Sequence, residues 1–177
     1  MKKTFILVTI VAAGIVTFVT ACTSTSANED VAKQPLTNAQ LIKRGEYLVS
    51  AVGCDDCHSP KIMGPGEPEI IPELRFSGYP STRPLQKADS NVVKSGWGLV
   101  GSDLTAWVGP WGMSFAANIS SDATGIGNWT EAQFFKAIRE GKYKGLENSR
   151  PMLPPMPWFV YKNFSDEDIK AIFAFLK

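Results

Sequence analysis

Three stretches of the chain place apolar residues every three to four positions, and each follows a Ser or Thr whose partner three residues on can reach back to the helix's free amides. Thr37 with Gln40 opens the first, in which Leu41, Ile42, Leu48, Val49 and Val52 share a face. Thr130 with Gln133 opens the second, which carries Phe134, Phe135 and Ile138 and stops at Gly141, a residue suited to a left-handed cap. Ser165 with Asp168 opens the third, where Ile169, Ile172, Phe173 and Leu176 form one face and Lys177 meets the negative end of the dipole. The apolar stripes predict three helices packed around one core.

The intervening residues 59–128 are rich in Gly and Pro and hold no sustained period over about seventy positions, a length that marks an embellishment rather than a connection. Alternation across residues 105–120 allows a short hairpin bending at Gly109-Pro110 or Trp111-Gly112. Trp97, Trp107 and Trp111 are expected to pack against neighbouring structure. Ahead of the first helix, residues 22–36 are mostly small and polar and read as a flexible tether.

The chain starts with Lys2 and Lys3, an apolar run over residues 5–18 and the small-residue site Val19-Thr20-Ala21-Cys22, so residues 1–21 read as a secretory signal. Residues 4–21 carry no charge and are just long enough to span a bilayer, which leaves an uncleaved membrane helix as the other reading. The tetrapeptide resembles the lipobox of bacterial lipoproteins. That resemblance implies cleavage before Cys22 and lipid on its sulfur, with the mature chain extracytoplasmic or periplasmic and anchored to a bacterial membrane. At about 0.8 kcal/mol per buried methylene, two or more acyl chains make a stable anchor.

Directly after the first helix comes Cys54-Asp55-Asp56-Cys57-His58, the C-x-x-C-H pattern of c-type haem attachment. Two thiols one helical turn apart can each add to a vinyl group of the macrocycle, and the adjoining imidazole then lies under the iron. With three cysteines and one histidine in the chain, a chance match is expected roughly three times in ten thousand such sequences. Two competitors share the Cys pair. A thioredoxin-type redox pair needs a low-pKa thiolate, which Asp55 and Asp56 oppose. A structural zinc site needs four ligands, and only Cys54, Cys57 and His58 are available once Cys22 is used elsewhere.

Charge narrows the field. Loss of Lys2 and Lys3 with the signal takes the formal charge from +1 to −1, without the basic patch that nucleic-acid binding requires. About 140 residues remain beyond the tether, enough for one domain over residues 37–177.

An iron held by His58 has a sixth position to fill, and with no second histidine the soft thioether of methionine is the available protein ligand. Met63, Met113, Met152 and Met156 are the candidates. Met156 stands in Leu153-Pro154-Pro155-Met156-Pro157-Trp158, where three prolines stiffen an extended strap just before the last helix, and it is the expected ligand. The other His58 ring nitrogen is expected to donate to a backbone carbonyl, with Pro60 or Pro65 as candidates, and Arg150, Trp111 and Asn118 are candidate donors to the haem propionates.

In this order of parts the chain resembles class I cytochromes c: a helix into C-x-x-C-H, a variable middle, a further helix, a methionine loop and a C-terminal helix crossing the first. Gly45 and Phe173 match the small and aromatic residues of that crossing. More narrowly, Phe115-Ala116-Ala117-Asn118-Ile119-Ser120, Thr124-Gly125-Ile126-Gly127-Asn128-Trp129-Thr130 and the strap at 153–158 resemble bacterial cytochromes associated with periplasmic dehydrogenases. The resemblance covers residues 37–176, with 64–108 longer than the minimal fold needs. It implies an all-α class I fold around one covalent haem c, with a Gly/Pro-rich insertion that can carry a hairpin. It further implies a membrane-tethered electron carrier, not itself an enzyme, whose partners are redox proteins of dehydrogenase or terminal oxidase type. Two alternatives remain at this point: a haem sensor or enzyme with an open sixth position, and a subunit of a larger dehydrogenase.

Overall fold

The computed structural model describes residues 34–177, within which Leu36–Lys177 form one unit. The expected signal at 1–21, Cys22 and the expected tether as far as residue 33 lie outside the described residues. Helix α1 (Asn38–Ala51) starts at Thr37 with the reciprocal bonds of a capping box, Gln40 N–H to the Thr37 hydroxyl and Thr37 N–H to the Gln40 side chain. After it come α2 (Cys54–His58), β1 (Lys61–Ile62), β2 (Glu69–Ile70), a 3₁₀ turn (Pro72–Leu74), α3 (Ser90–Lys94), β3 (Leu99–Val100), β4 (Ala106–Gly109) and β5 (Gly112–Phe115). Helix α4 (Glu131–Glu140) has its own capping box at Thr130 and ends at Gly141 in the left-handed conformation. A 3₁₀ turn (Tyr143–Gly145), α5 (Trp158–Tyr161) and α6 (Asp166–Leu176) complete the order.

The first and last helices pack directly on each other, and the reason lies at Gly45. A Cβ built there would stand 1.9 Å from the Ala171 carbonyl oxygen and 2.8 Å from Phe175 Cβ, so the two backbones touch where no side chain intervenes. Arg44 closes the crossing from outside by donating to Asp168 at 2.6 Å. The aromatic residue against Gly45 is Phe175. Phe173 instead stacks on Phe134 at 5.1 Å between ring centroids, because its position on α6 faces α4. Val49, Ile126, Phe134, Ile169, Ile172, Phe173 and Leu176 join Phe76 in a continuous buried cluster. Sequence periodicity foresaw most of these residues, since helical stripes bury as units.

The expectation of an all-α fold needs correction. The fold is mostly helical, but β1 pairs with β2 and the order β3-β4-β5 makes a second antiparallel sheet. These strands are two to four residues long, too short for a repeating pattern to identify them before the chain pairs. The expected hairpin exists as β4 and β5, and because Gly109 pairs with Gly112 its bend is Pro110-Trp111, between the two sites foreseen. Trp107 donates its indole N–H to the Leu104 carbonyl, and Trp111 folds over Gly109. Trp97 does not pack as expected; it precedes edge strand β3 and is 70% exposed.

The insertion has an ionic clamp of its own. Arg83 donates to Asp103 at 2.6 Å, and the same carboxylate accepts from the Thr105 hydroxyl at 2.8 Å. Burial alone would raise the Asp103 pKa, but the bonds from Arg83 and Thr105 outweigh it and hold the group below the usual carboxylate value. A carboxylate depressed by folding contributes stability that is present above its unfolded pKa and is lost as pH falls through the folded one. Asp103→Asn is therefore expected to cost about 2 kcal/mol at neutral pH and nearly nothing once the medium is acidic enough to protonate the wild-type group. Denaturant unfolding across the acid limb checks this; parallel pH profiles for the two proteins would contradict it.

Candidate haem-attachment site

Helix α1 cannot run straight into the Cys pair, because Gly53 caps the next turn in the left-handed conformation with φ +72°. A Cβ at that position would also meet the Asp56 carboxylate at 2.6 Å, so glycine is required on both counts. The reversal starts α2, a single short helix that places Cys54, Cys57 and His58 on adjacent turns of backbone. Four side chains hold it. Arg75 clasps the Asp55 carboxylate through two nitrogens at 3.0 and 2.8 Å, and the Ser59 hydroxyl donates to the same group at 2.7 Å. Lys61 donates to the terminal carbonyls of Asp55, Asp56 and Ser59 at 2.9, 2.6 and 2.8 Å, a cation at the negative end of the turn. Tyr161 donates to the Val52 carbonyl just upstream at 3.0 Å.

The thiols are free and half-buried. Burial, reinforced by Asp55, Cys57 and Asp56, pushes the Cys54 pKa up to about 12, and burial with Asp56 raises Cys57 as well. Such thiols stay protonated at neutral pH, which removes the thiolate a thioredoxin-type pair depends on. Among the described residues no cluster of three or more His, Cys, Asp or Glu side chains is arranged to hold a metal ion. Asp55 would be raised by burial, yet the bonds from Arg75 and Ser59 keep it below its usual value and hence charged.

His58 differs from expectation in its partner. Its Nδ1 donates to the Ala117 carbonyl at 2.7 Å. Neither proline supplies the acceptor: the Pro60 carbonyl takes the Ile71 amide at 3.0 Å, and Pro65 lies in an exposed turn. Ala117 is delivered because residues 116–119 run beside 76–79, with Tyr79 N–H on the Ala116 carbonyl at 3.0 Å and Ile119 N–H on the Phe76 carbonyl at 2.8 Å. Gly78 donates its amide to the His58 carbonyl at 2.8 Å and lies so close to Ala117 that a Cβ would stand 2.6 Å from that carbonyl oxygen. Desolvation depresses the imidazole pKa despite the Ala117 bond, so the ring is neutral at neutral pH. With Nδ1 carrying the proton, Nε2 presents a lone pair, the requirement for a metal ligand.

The second ligand position is a matter of chain placement. Met63 is largely exposed, whereas Met113, Met152 and Met156 are half-buried. Met152 is fixed by its amide, which donates to the Gly141 carbonyl at 2.7 Å. Met156 lies in the proline strap, which Ser114 holds by donating to the Pro154 carbonyl at 2.6 Å. Each candidate propionate donor already has a partner within the chain. Arg150 stacks on Tyr143 at 4.1 Å and donates to Pro151, Trp111 donates to Ser114, and Asn118 donates to Thr124. Among the described residues the buried side-chain polar atom left without a partner is Ser77 Oγ, which sequence reasoning did not single out.

A c-type haem suits this arrangement. It would consume two protonated thiols, use the free Nε2 of a tautomer-locked histidine, and bring carboxylates near an unsatisfied hydroxyl in the segment that grips His58. Ala117, Gly78, Ser114, Arg75 and Lys61 all escaped sequence reading. A carbonyl acceptor has no side-chain signature; Gly78, Ser114 and Arg75 act on groups distant along the chain, and Lys61 acts on nearby backbone carbonyls that carry no signature either.

The parts and their order are those expected of a c-type cytochrome. No protein-family model matches the chain. It is 32% identical over 139 residues to the gluconate 2-dehydrogenase cytochrome c subunit of Pantoea cypripedii, covering 78% of this chain and 23% of that one. It is 30% identical over 136 residues to the cytochrome c subunit of the quinone alcohol dehydrogenase of Gluconobacter oxydans, and 28% over 137 residues to the fructose dehydrogenase cytochrome subunit of Gluconobacter japonicus. Each of these two alignments covers 76% of this chain and 20% of the relative. The chain is homologous to cytochrome c subunits of dehydrogenases and spans about a quarter or less of their length.

The Gly78 contact gives a direct test. Gly78→Ala is expected to displace the Ala117 carbonyl, weaken its bond to His58 and so make the imidazole a poorer donor to ferric iron. The midpoint potential should rise by a few tens of millivolts, the scale of one modest hydrogen bond. Redox titration of the purified haem protein reads the shift; an unchanged or lowered potential would contradict the assigned role.

Proposed function

We propose that this protein is a monohaem c-type cytochrome that carries single electrons to or from a dehydrogenase-type redox partner. Cys54 and Cys57 would hold the macrocycle by thioether bonds, and His58 and Met156 would supply the iron's protein ligands. A haem bound in this way supplies a one-electron Fe(II)/Fe(III) couple. The chain's own groups do the rest. The Ala117 carbonyl holds the His58 ring in one tautomer and orientation, and the Arg75–Asp55 and Lys61 contacts keep α2 rigid. Ligands fixed by the chain in both oxidation states keep the reorganisation on electron transfer small. No side chain is required to make or break a substrate bond.

The observation that carries this reading is the His58 Nδ1 bond to Ala117 at 2.7 Å, which leaves Nε2 as a ligand beside two protonated thiols. The relatives' names, all cytochrome subunits of dehydrogenases, support the class of partner. We extend the reading to the N-terminus: residues 1–21 direct export, and Cys22 carries lipid that tethers the domain through residues 22–36 outside the cytoplasmic membrane. Among the described residues no helix is long and apolar enough to cross a membrane.

Haem staining after denaturing electrophoresis of membrane and soluble fractions tests both halves. Wild type should stain in the membrane fraction with one haem per chain. Cys22→Ser should stain equally but in the soluble fraction, and Cys54→Ala with Cys57→Ala should not stain. A colourless exported wild type would end the redox reading, and a membrane-bound Cys22→Ser the lipid anchor.

A further inference from the structure

The Ser114 hydroxyl is buried on β5 and donates its hydrogen not within the hairpin but to a distant carbonyl. The residue is 7% exposed, and its Oγ donates to the Pro154 oxygen at 2.6 Å. The indole N–H of Trp111 donates to the same Oγ at 3.2 Å. A hydroxyl has one hydrogen, so an incoming donor at the oxygen leaves that hydrogen to be aimed at Pro154. The receiving strap is ill equipped to anchor itself. Pro154, Pro155 and Pro157 have no amide hydrogen, and the strap's attachment falls to its carbonyls.

Three residues beyond Ser114, the Ala117 carbonyl holds His58. The stretch between is immobilised at Ala116, whose amide donates to the Thr105 carbonyl at 2.8 Å while its carbonyl accepts from Tyr79 at 3.0 Å. We propose that Ser114 is a positioning residue for the methionine strap, and that residues 114–117 serve as one gauge setting the separation of the two axial side chains, Met156 through Pro154 and His58 through Ala117. This rests on the reading of Met156 as ligand. The β4–β5 hairpin would then link the two segments that carry the proposed iron ligands.

The test uses the full-length haem protein. Ser114→Ala leaves the Pro154 carbonyl and the Trp111 N–H without their partner, and the strap should release its sulfur more easily. The covalent haem should remain, the weak far-red charge-transfer band of methionine-ligated ferric iron should diminish, and imidazole should bind ferric iron about tenfold more tightly. Ser114→Thr, which keeps the hydroxyl, should restore both. Trp111→Phe should act in the same direction with smaller effect, and it decides the matter if Ser114→Ala fails to accumulate. A lowered melting temperature with band and imidazole affinity unchanged would reduce Ser114 to a structural residue and overturn the proposal. Met156→Ala is measured alongside. If it abolishes the band while the Ser114 and Trp111 variants leave it intact, the gauge is wrong and the ligand stands; if it leaves the band intact, the ligand reading fails and the gauge with it.

Discussion

Replacing Met156 with alanine is expected to abolish the far-red charge-transfer band, open ferrous iron to carbon monoxide and lower the midpoint potential by on the order of 0.2 V, a fraction of the roughly 0.8 V range that axial ligands control. The sign follows from the ligand's chemistry. A thioether is a soft, weakly basic donor that favours Fe(II), and water or nothing in its place favours Fe(III). Covalent attachment should survive, because Cys54 and Cys57 lie on α2, which Arg75, Ser59 and Lys61 hold independently of the strap. Met152→Ala is the matched control. Its amide is engaged by Gly141 and its side chain is assigned no iron, so band and potential should stay as in wild type. If the two variants exchange behaviours, Met152 is the ligand and the strap's three prolines serve another end. If both remain ligated and closed to carbon monoxide, the sulfur comes from Met63 or Met113.

The second large effect is expected at Gly45. In an isolated helix, alanine in place of glycine would gain roughly 0.5–1 kcal/mol of propensity. Here the added Cβ would fall 1.9 Å from the Ala171 carbonyl, a backbone atom that no rotamer change can remove. The first and last helices must therefore part, and the Arg44–Asp168 bond and the burial of Val49 and Ile169 degrade together. Gly45→Val should cost about 3 kcal/mol or more, a fall in Tm of about 10 °C, with the spectrum of the folded protein little changed. Gly64→Ala serves as reference, since a Cβ there meets nothing within 4 Å. Thermal unfolding followed by far-ultraviolet circular dichroism measures both; equal melting temperatures for the two would mean that the crossing is not close-packed.

Much of the scaffold was readable because it is local. Thr37, Thr130 and Ser165 each cap the helix they were expected to open, and Gly141 ends α4 in the conformation foreseen, since capping joins residues three or four apart. The reading failed where the partner was distant. Phe173 was placed against Gly45 by its match to a family position, but on this backbone it turns to Phe134, and Phe175 takes the crossing. The nearby prolines were offered as acceptors for His58 because they follow it in sequence. The acceptor lies 59 residues away, reached because 116–119 is laced to 76–79.

The division has a physical basis. Residues that must be side chains of a certain kind at a fixed short spacing, Cys54, Cys57 and His58 for the proposed attachment and the apolar stripes for burial, are specified by the primary chain alone, because their chemistry or periodicity admits few substitutes. The iron's surroundings depend on groups that every residue possesses or that many residues could supply: the carbonyls of Ala117 and Pro154, the space left at Gly78, the hydroxyl of Ser114. These acquire identity only when the insertion folds, its short strands pair, and hydrogen bonds that cannot be left unmade in the interior choose their acceptors among whatever the packing brings within reach.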